Sequence, residues 1–132
     1  MSKKNVLITG ASRGIGKAIL ESFGREYYFI ATATNDQSLK DIENNLQKLN
    51  LEGHACKLNL EDRNSIKEFV SSLEDQDISP HILINNAGIT RDNIMLRMKE
   101  DEWDDVINVH LNGQYFLIKS FIKKMVKNKW GR

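Results

Sequence analysis

The segment that determines the fold is Val6-Leu7-Ile8-Thr9-Gly10-Ala11-Ser12-Arg13-Gly14-Ile15-Gly16-Lys17-Ala18-Ile19. Its apolar start predicts a buried strand, and the residues after Gly16 have the spacing of a helix. The G-x-x-x-G-x-G pattern between them is typical of a turn that binds phosphate, although it also fits a tight connection in another α/β domain. Gly10 lets the chain reverse, Gly14 lets the backbone approach a phosphate, and Gly16 lets the helix pack near the sheet. We therefore expect an anion at the helix N-terminus.

The composition is that of an ordinary globular domain. The 132 residues are 40% hydrophobic and 28% charged, with a net charge of +1. A chain of this length forms one domain, residues 1–132, and buries roughly two-thirds of its unfolded surface. The balanced charge predicts neither nucleic acid nor a membrane as a partner. The single cysteine, Cys56, suits a reducing compartment, so we expect a cytoplasmic protein.

Strand and helix patterns alternate along the chain. Apolar strands are predicted at residues 6–9, 28–34, 54–60 and 81–85, with helices near residues 15–23, 37–49 and 63–73 between them. This order predicts an α/β fold of the Rossmann type: a doubly wound parallel sheet with strand order 3-2-1-4.

Local signals predict the buried face of the first helix and the start of the third strand and of the third helix. Ile15, Ala18, Ile19 and Phe23 recur at helical spacing, which predicts that they form the buried face of the first helix. We expect Gly53 to make the turn into the third strand. Asp62 is expected to cap the third helix.

From about residue 99 to residue 128 the pattern predicts one long helix that ends at Gly131. Its apolar residues lie on more than one face, so we expect it to pack against the sheet and against something else. A helix in this place should lead into a fifth strand, and none follows in the sequence. We therefore expect an incomplete sheet with an exposed fourth strand, and a chain that does not behave as a well-folded monomer.

Three stretches carry a family resemblance: residues 9–19, residues 95–107, and Asn85-Asn86-Ala87-Gly88-Ile89-Thr90-Arg91-Asp92-Asn93. Together they resemble the short-chain dehydrogenase/reductase family, and within it the branch that reduces 3-oxoacyl groups on acyl carrier protein with NADPH during fatty-acid elongation. The resemblance spans the whole chain but only the cofactor-binding half of the family's usual length. It implies that the chain is truncated before the catalytic half.

The resemblance also implies which residues bind NADP. The phosphate loop matches Gly10, Ala11, Ser12, Arg13, Gly14, Ile15 and Gly16, and the turn that lines the cofactor cleft matches Asn86, Ala87 and Gly88. Asn59 and Leu60 match the pair that flanks the adenine.

Two positions bear on the choice between NADP and NAD. Thr34 ends the second strand, where an NAD site usually has a carboxylate, so there is room for a 2′-phosphate. Arg13 supplies a cation for that phosphate. Asp36 would repel the phosphate if it pointed inward, but the interpretation we favour is a turn carboxylate that faces solvent.

We assign no catalytic residue and no metal ligand. In the family a Ser, a Tyr and a Lys perform the chemistry, and they follow the fifth strand. Tyr115 and Lys119 have the family's Tyr-x-x-x-Lys spacing, but they lie in the helix before that strand, so we interpret the match as fortuitous. The family's active-site Asn is replaced by His110, which either holds a relay water or has no catalytic task.

The long helix suggests two partners. Its basic end includes Lys129, at a position where the resembled reductases dock the acidic acyl carrier protein, although cations there also complement the helix dipole. The resemblance further implies a homo-oligomer through this helix, with contacts that include Trp103, Ile118, Phe121 and Ile122. Two alternative functions stay open: a non-catalytic nucleotide-binding module, and a reductase of small ketones or sugars.

Overall fold

The computed structural model describes residues 2–132 and contains a four-stranded parallel sheet. The strands are β1 (Lys4–Ile8), β2 (Tyr27–Ala33), β3 (Glu52–Lys57) and β4 (Ile82–Ile84). Their order in the sheet is β3-β2-β1-β4, and each pairing is parallel. The predicted Rossmann-type sheet and its strand order are therefore confirmed.

The first three helices follow the first three strands: α1 (Gly14–Ser22), α2 (Asp36–Leu49) and α3 (Arg63–Asp75). Asn35 caps α2 by accepting a hydrogen bond from the backbone N–H of Ser38 at 2.9 Å. Asp62 caps α3 through the N–H of Asn64 at 2.8 Å, which confirms the predicted cap. Such caps satisfy N–H groups that have no partner inside the helix.

Alternate residues of the strands face two separate cores. Leu7 and Ile30 point to one side of the sheet, where they pack with α3 residues such as Leu73. Ile8 and Phe29 point to the other side and pack with residues of α1 and α2 such as Leu20 and Ile42. This period-two alternation covers both faces of the sheet with helices, as the continuous apolar strands predict.

The prediction for the buried face of α1 is wrong at two positions. Ile15 is 74% exposed and Ala18 is exposed, whereas Gly16 and Leu20 are buried. Close contact of Gly16 with the glycine turn sets the rotation of the helix, and that rotation turns Ile15 outward. Apolar spacing alone could not reveal this contact.

The start of β3 also differs from the prediction. Gly53 lies inside the strand, and the turn before it is made by Asn50, which adopts a left-handed conformation with φ of 53°. Asparagine tolerates this conformation better than most residues. The strand spans Glu52–Lys57 instead of residues 54–60, because the backbone N–H of Asn59 already bonds to the Ser65 hydroxyl.

The predicted long helix is not one uninterrupted α-helix. After a short 3₁₀ turn at Met95–Arg97, it consists of α4 (Glu100–Ile107), a π-helical turn (Asn108–Gly113) and α5 (Gln114–Lys127). Gly113, at the end of the π turn, lies so close to the Leu60 carbonyl oxygen that a Cβ would come within 2.6 Å of it. The π turn therefore stands where the helix packs against the backbone of Leu60, three residues beyond the end of β3.

The end of the helix differs from the prediction as well. Lys129, with φ of 52°, makes the left-handed residue that terminates α5, so Gly131 does not end the helix. Beyond it, Arg132 bonds to β4 on the side away from β1: its N–H donates to His81 at 3.1 Å, and its carbonyl accepts from Leu83 at 2.8 Å. The expectation of an unpaired edge is therefore wrong at Leu83, whose backbone N–H bonds to Arg132.

Candidate functional site

The glycine turn has the backbone geometry that its spacing predicts. Gly10 and Gly14 have φ values of +67° and +56°, which residues with a Cβ rarely adopt. A Cβ on Gly16 would collide with the carbonyl oxygen of Gly10 and with Nδ2 of Asn86. Around Gly14, in contrast, no atom lies within 4 Å of the place that a Cβ would take. The turn thus packs tightly on its inner side and leaves open space on its outer side.

This open space lies at the start of α1. The first helical residues leave their N–H groups without partners inside the helix, and those of Gly14, Ile15 and Gly16 precede the bond from the N–H of Lys17 to the carbonyl of Arg13. Arg13 takes the N-cap position, makes no cap bond with its side chain, and is exposed. The start of α1 therefore combines unpaired N–H groups with an exposed arginine, which suits an anion.

Two polar residues, the buried Thr9 and the half-buried Asn86, join the glycine turn to the turn after β4. The hydroxyl of Thr9 accepts from the backbone N–H groups of Asn86 and Ala87, at 3.1 and 3.0 Å. In return, the side-chain amide of Asn86 donates to the carbonyls of Thr9 and Gly10, at 3.0 and 2.9 Å. This Thr9–Asn86 clamp fixes the two turns relative to each other, because Thr9 is fully buried and its hydroxyl is fully used.

Thr32 is a further positioning residue that the sequence analysis missed. Its hydroxyl accepts from the N–H of Gly10 at 3.3 Å, and its carbonyl accepts from the N–H of Ala11 at 3.0 Å. The side chain is buried inside an otherwise apolar strand. A lone threonine in such a strand is the sequence signal that points to a hydrogen bond there.

The residues predicted to bind the adenosine half lie near the carboxyl ends of β2 and β3. Thr34 and Asn59 line one cavity of about 560 Å³, together with Cys56 and Ser65. This cavity shares no lining residue with the glycine turn. Asp36 is the first residue of α2 and is exposed. A carboxylate in that first turn complements the helix dipole, which accounts for Asp36 without a role in the site.

His110 lies in the π turn and reaches the turn after β4. Its Nε2 is 2.8 Å from the carbonyl oxygen of Ile89 and 3.1 Å from the N–H of the same residue. One imidazole nitrogen either donates or accepts, so the tautomer decides which of the two bonds is made. Gly88 gives the ring its space, because a Cβ there would lie 2.5 Å from Cε1 of His110. π turns occur frequently at functional sites.

The spaced pair Tyr115 and Lys119 lies on the outer side of α5. Tyr115 is 55% exposed, and the Lys119 ammonium is 5.7 Å from the centre of its ring. The hydrogen bonds among the described residues do not connect either side chain to the glycine turn or to the turn after β4.

Burial shifts the pKa values of three groups on β2 and β3, namely Tyr28, His54 and Cys56, toward the neutral form. Burial, reinforced by the charge of Glu43, raises the pKa of the Cys56 thiol to about 11. Burial lowers the pKa of His54, against the opposing effect of Glu43, and the hydroxyl of Tyr28 is 2.9 Å from Nδ1 of His54. A thiol with such a high pKa is a weak nucleophile, so Cys56 is a packing residue. Among residues 2–132, no group of three or more His, Cys, Asp and Glu side chains is arranged to hold a metal.

Comparison with known proteins identifies the family. A sequence model of the short chain dehydrogenase family matches residues 4–132. The chain belongs to this family. The glycine turn and the Asn-Asn-Ala-Gly turn, two of the three motifs that carried the resemblance, are thus joined by the Thr9–Asn86 clamp in a short chain dehydrogenase.

Several curated relatives share the same description. The chain is 42% identical over 130 residues to the 3-oxoacyl-[acyl-carrier-protein] reductase of Pseudomonas aeruginosa. The aligned region covers 98% of this chain and 53% of the relative. It is 39% identical over 130 residues to the reductase of that name from Escherichia coli, and this alignment covers 98% of this chain and 52% of the relative. The chain therefore spans about half the length of the curated relatives it matches.

Solved structures of the family share the fold. A putative gluconate dehydrogenase from Agrobacterium tumefaciens superposes with a TM-score of 0.90 at 24% identity, over 98% of this chain and 51% of that one. A metagenomic short-chain oxidoreductase in complex with NADP gives a TM-score of 0.88 at 29% identity, over 97% of this chain and 59% of that one. Within residues 2–132, no helix combines the length and the apolar character needed to cross a membrane.

Proposed function

We propose that this chain is the cofactor-binding half of an NADPH-dependent reductase that converts 3-oxoacyl-[acyl-carrier-protein] to the 3-hydroxyacyl form. The observation that carries the proposal is the glycine turn held open by the Thr9–Asn86 clamp. Support comes from relatives named as such reductases and from a related structure in complex with NADP.

The residues have distinct roles in this proposal. The N–H groups of Gly14, Ile15 and Gly16 bind the pyrophosphate, because they have no partners inside α1. Asn59 and Leu60 flank the adenine. The turn Asn86-Ala87-Gly88 lines the cleft toward the nicotinamide. When bound, NADPH supplies the hydride that reduces the ketone, and the chain holds and orients it.

Arg13 and Thr34 determine the preference for NADPH over NADH. The exposed Arg13 guanidinium binds the 2′-phosphate, and Thr34 presents no carboxylate to repel it. We expect NADPH to bind more tightly than NADH, and Arg13→Ala to weaken NADPH binding by about 1.5 to 3 kcal/mol, the contribution of a charge-assisted hydrogen bond. Isothermal calorimetry measures both affinities.

Arg25→Ala is the matched control, since Arg25 is an exposed arginine beyond the other end of α1. It should leave both affinities unchanged. Equal affinity of the wild type for NADPH and NADH would contradict the proposed preference.

A nucleotide-binding module without reductase activity is the second candidate. The observation that favours it is His110, which stands where the family has its active-site Asn and is bonded to the Ile89 backbone. The two candidates differ in one measurement: the complete protein should oxidise NADPH when given a 3-oxoacyl thioester. Binding of NADPH without turnover, in a protein that contains the second half, would favour the module.

We propose acyl carrier protein as the partner of the basic end of α5. Lys124, Lys127 and Lys129 are exposed there, and a cationic surface suits an acidic protein. Binding of acyl carrier protein should weaken as salt increases, and it should weaken further in Lys129→Glu. A salt-independent affinity that Lys129→Glu does not change would argue against this docking surface.

We also propose that two copies pair through α4 and α5. An apolar stripe of exposed residues, spaced three and four apart, runs along the helix: Leu111, Tyr115, Ile118, Ile122 and Val126. Phe121, predicted to contribute, does not belong to it, because it is buried against Phe69. The α4 end is rich in Asp and Glu and the α5 end in Lys. Antiparallel pairing therefore brings opposite charges together.

A further inference from the structure

A groove between α3 and α5 has the chemistry of a ligand site, separate from the cofactor cleft. It encloses about 650 Å³. Its lining comes from the first turns of α3 and from the first half of α5: Arg63, Ile66, Lys67, Val70, Ser71, Phe116, Lys119 and Ser120. None of these residues belongs to the glycine turn, the turn after β4 or the apolar stripe.

The polar lining of the groove is cationic. Arg63, Lys67 and Lys119 contribute three positive charges, and no carboxylate lines the groove. Among the described residues, none of the three forms a salt bridge. Three like charges around one groove give it a positive potential, which attracts an anion.

The floor of the groove is apolar. The Arg63 guanidinium lies over the ring of Phe116, 4.3 Å from its centre, which holds both side chains in place. Ile66 and Val70 follow Arg63 along the same side of α3. From Arg63 to Ser71 the helix rises about 12 Å, so the groove is long enough for an extended aliphatic chain.

From this arrangement we infer that the groove binds an amphipathic anion, with an acidic head group among Arg63, Lys67 and Lys119 and an aliphatic tail along Phe116 and Val70. A small inorganic anion leaves the apolar floor exposed, and a neutral lipid leaves the cations without a counter-charge. The inference does not depend on the proposed reductase activity, because the groove contains no residue of the cofactor cleft.

Octanoate is a suitable probe. Acetate has the same carboxylate without the long tail, and octanol has a tail of the same length without the charge. NMR titration of the 132-residue chain should show saturable shifts at α3 and α5. Octanoate should bind about tenfold more tightly than acetate, because the tail buries methylene groups. It should bind about fivefold more tightly than octanol, as expected for partly exposed charge pairs.

The double variant Arg63→Gln/Lys67→Gln tests the head-group contacts and should weaken octanoate about fivefold. The control Arg25→Gln/Lys40→Gln removes the same charges from exposed positions elsewhere and should have no effect. Equal binding of octanol and octanoate, equal binding of acetate and octanoate, or shifts confined to the cofactor cleft would each overturn the inference. So would a double variant that melts normally and binds octanoate like the wild type.

Discussion

At the residue scale, one missing side chain sets the distance between α1 and the sheet. Gly16 packs against the Gly10 carbonyl and the Asn86 amide, two groups that also belong to the Thr9–Asn86 clamp. A methyl group at residue 16 would push α1 away from the Gly10 carbonyl and from the Asn86 amide. The glycine turn therefore depends on Gly16 for its shape, and on Gly14 for the open space in front of it.

These two glycines allow a matched comparison. Gly16→Ala should lower the free energy of unfolding by about 1 to 3 kcal/mol, because it overpacks a rigid contact with the backbone. Gly14→Ala should cost about 1 kcal/mol, since it meets no atom but places alanine at a positive φ. Urea denaturation measures both. A larger loss for Gly14→Ala would show that the packing at Gly16 is looser than the structure indicates.

Cys56 should make the stability depend on alkaline pH. Burial raises the pKa of its thiol from 9.0 to about 11 in the folded chain, so between these values the unfolded chain releases the proton and the folded chain keeps it. The unfolded state then binds fewer protons, and stability falls as pH rises. Below about pH 9 both states are protonated and the effect is absent.

Cys56→Ser keeps the shape of the side chain and removes this titration. Its free energy of unfolding should therefore fall less steeply than that of the wild type between pH 9 and 11. Denaturation at a series of pH values gives the two slopes. Parallel slopes would mean that the thiol titrates normally in the fold.

At the element scale, the π turn is the feature that connects the long helix to the segments that follow β3 and β4. It places Gly113 against Leu60, beyond the end of β3, and His110 against the turn after β4. One irregular turn thus contacts both of these segments.

His110→Ala should loosen the turn after β4. It removes the bond to Ile89 and should lower the free energy of unfolding by about 0.5 to 1.5 kcal/mol. In the tautomer whose Nε2 accepts from the Ile89 N–H, hydrogen exchange at that amide should become faster. Asn112→Ala is the control, since Asn112 lies in the same π turn but bonds only to Asn108. If both variants change the exchange of Ile89 equally, the π turn as a whole, and not His110, orders that turn.

At the scale of the whole molecule, the apolar stripe on the long helix is the surface that predicts self-association. Its members are too exposed to stabilise the monomer, and they form a continuous patch on one side of α5. Light scattering after size exclusion should show a mass approaching that of a dimer as the protein concentration rises.

Ile118→Lys/Ile122→Lys should return the chain to a monomer, because it places cations in the centre of the stripe. Leu96→Lys is the control: Leu96 is 96% exposed but lies outside the long helix. A wild-type chain that is monomeric at every concentration would contradict the pairing.

The sequence by itself determined the strand order, the cap at Asp62 and the geometry of the glycine turn. These features depend on residues close together in the chain, where spacing and backbone preference act directly. The preference for right-handed crossover connections then gave the order of the strands in the sheet from their order along the chain.

Only the tertiary structure decided which distant atoms meet. The Thr9–Asn86 clamp joins residues 77 positions apart, and the bond from His110 to Ile89 spans 21 positions. The rotation of α1 depends on the contact of Gly16 with the Asn86 side chain, so its apolar spacing predicted the wrong buried face. The π turn was missed for the same reason, because the atoms it approaches belong to Leu60, beyond the end of β3, and to the turn after β4.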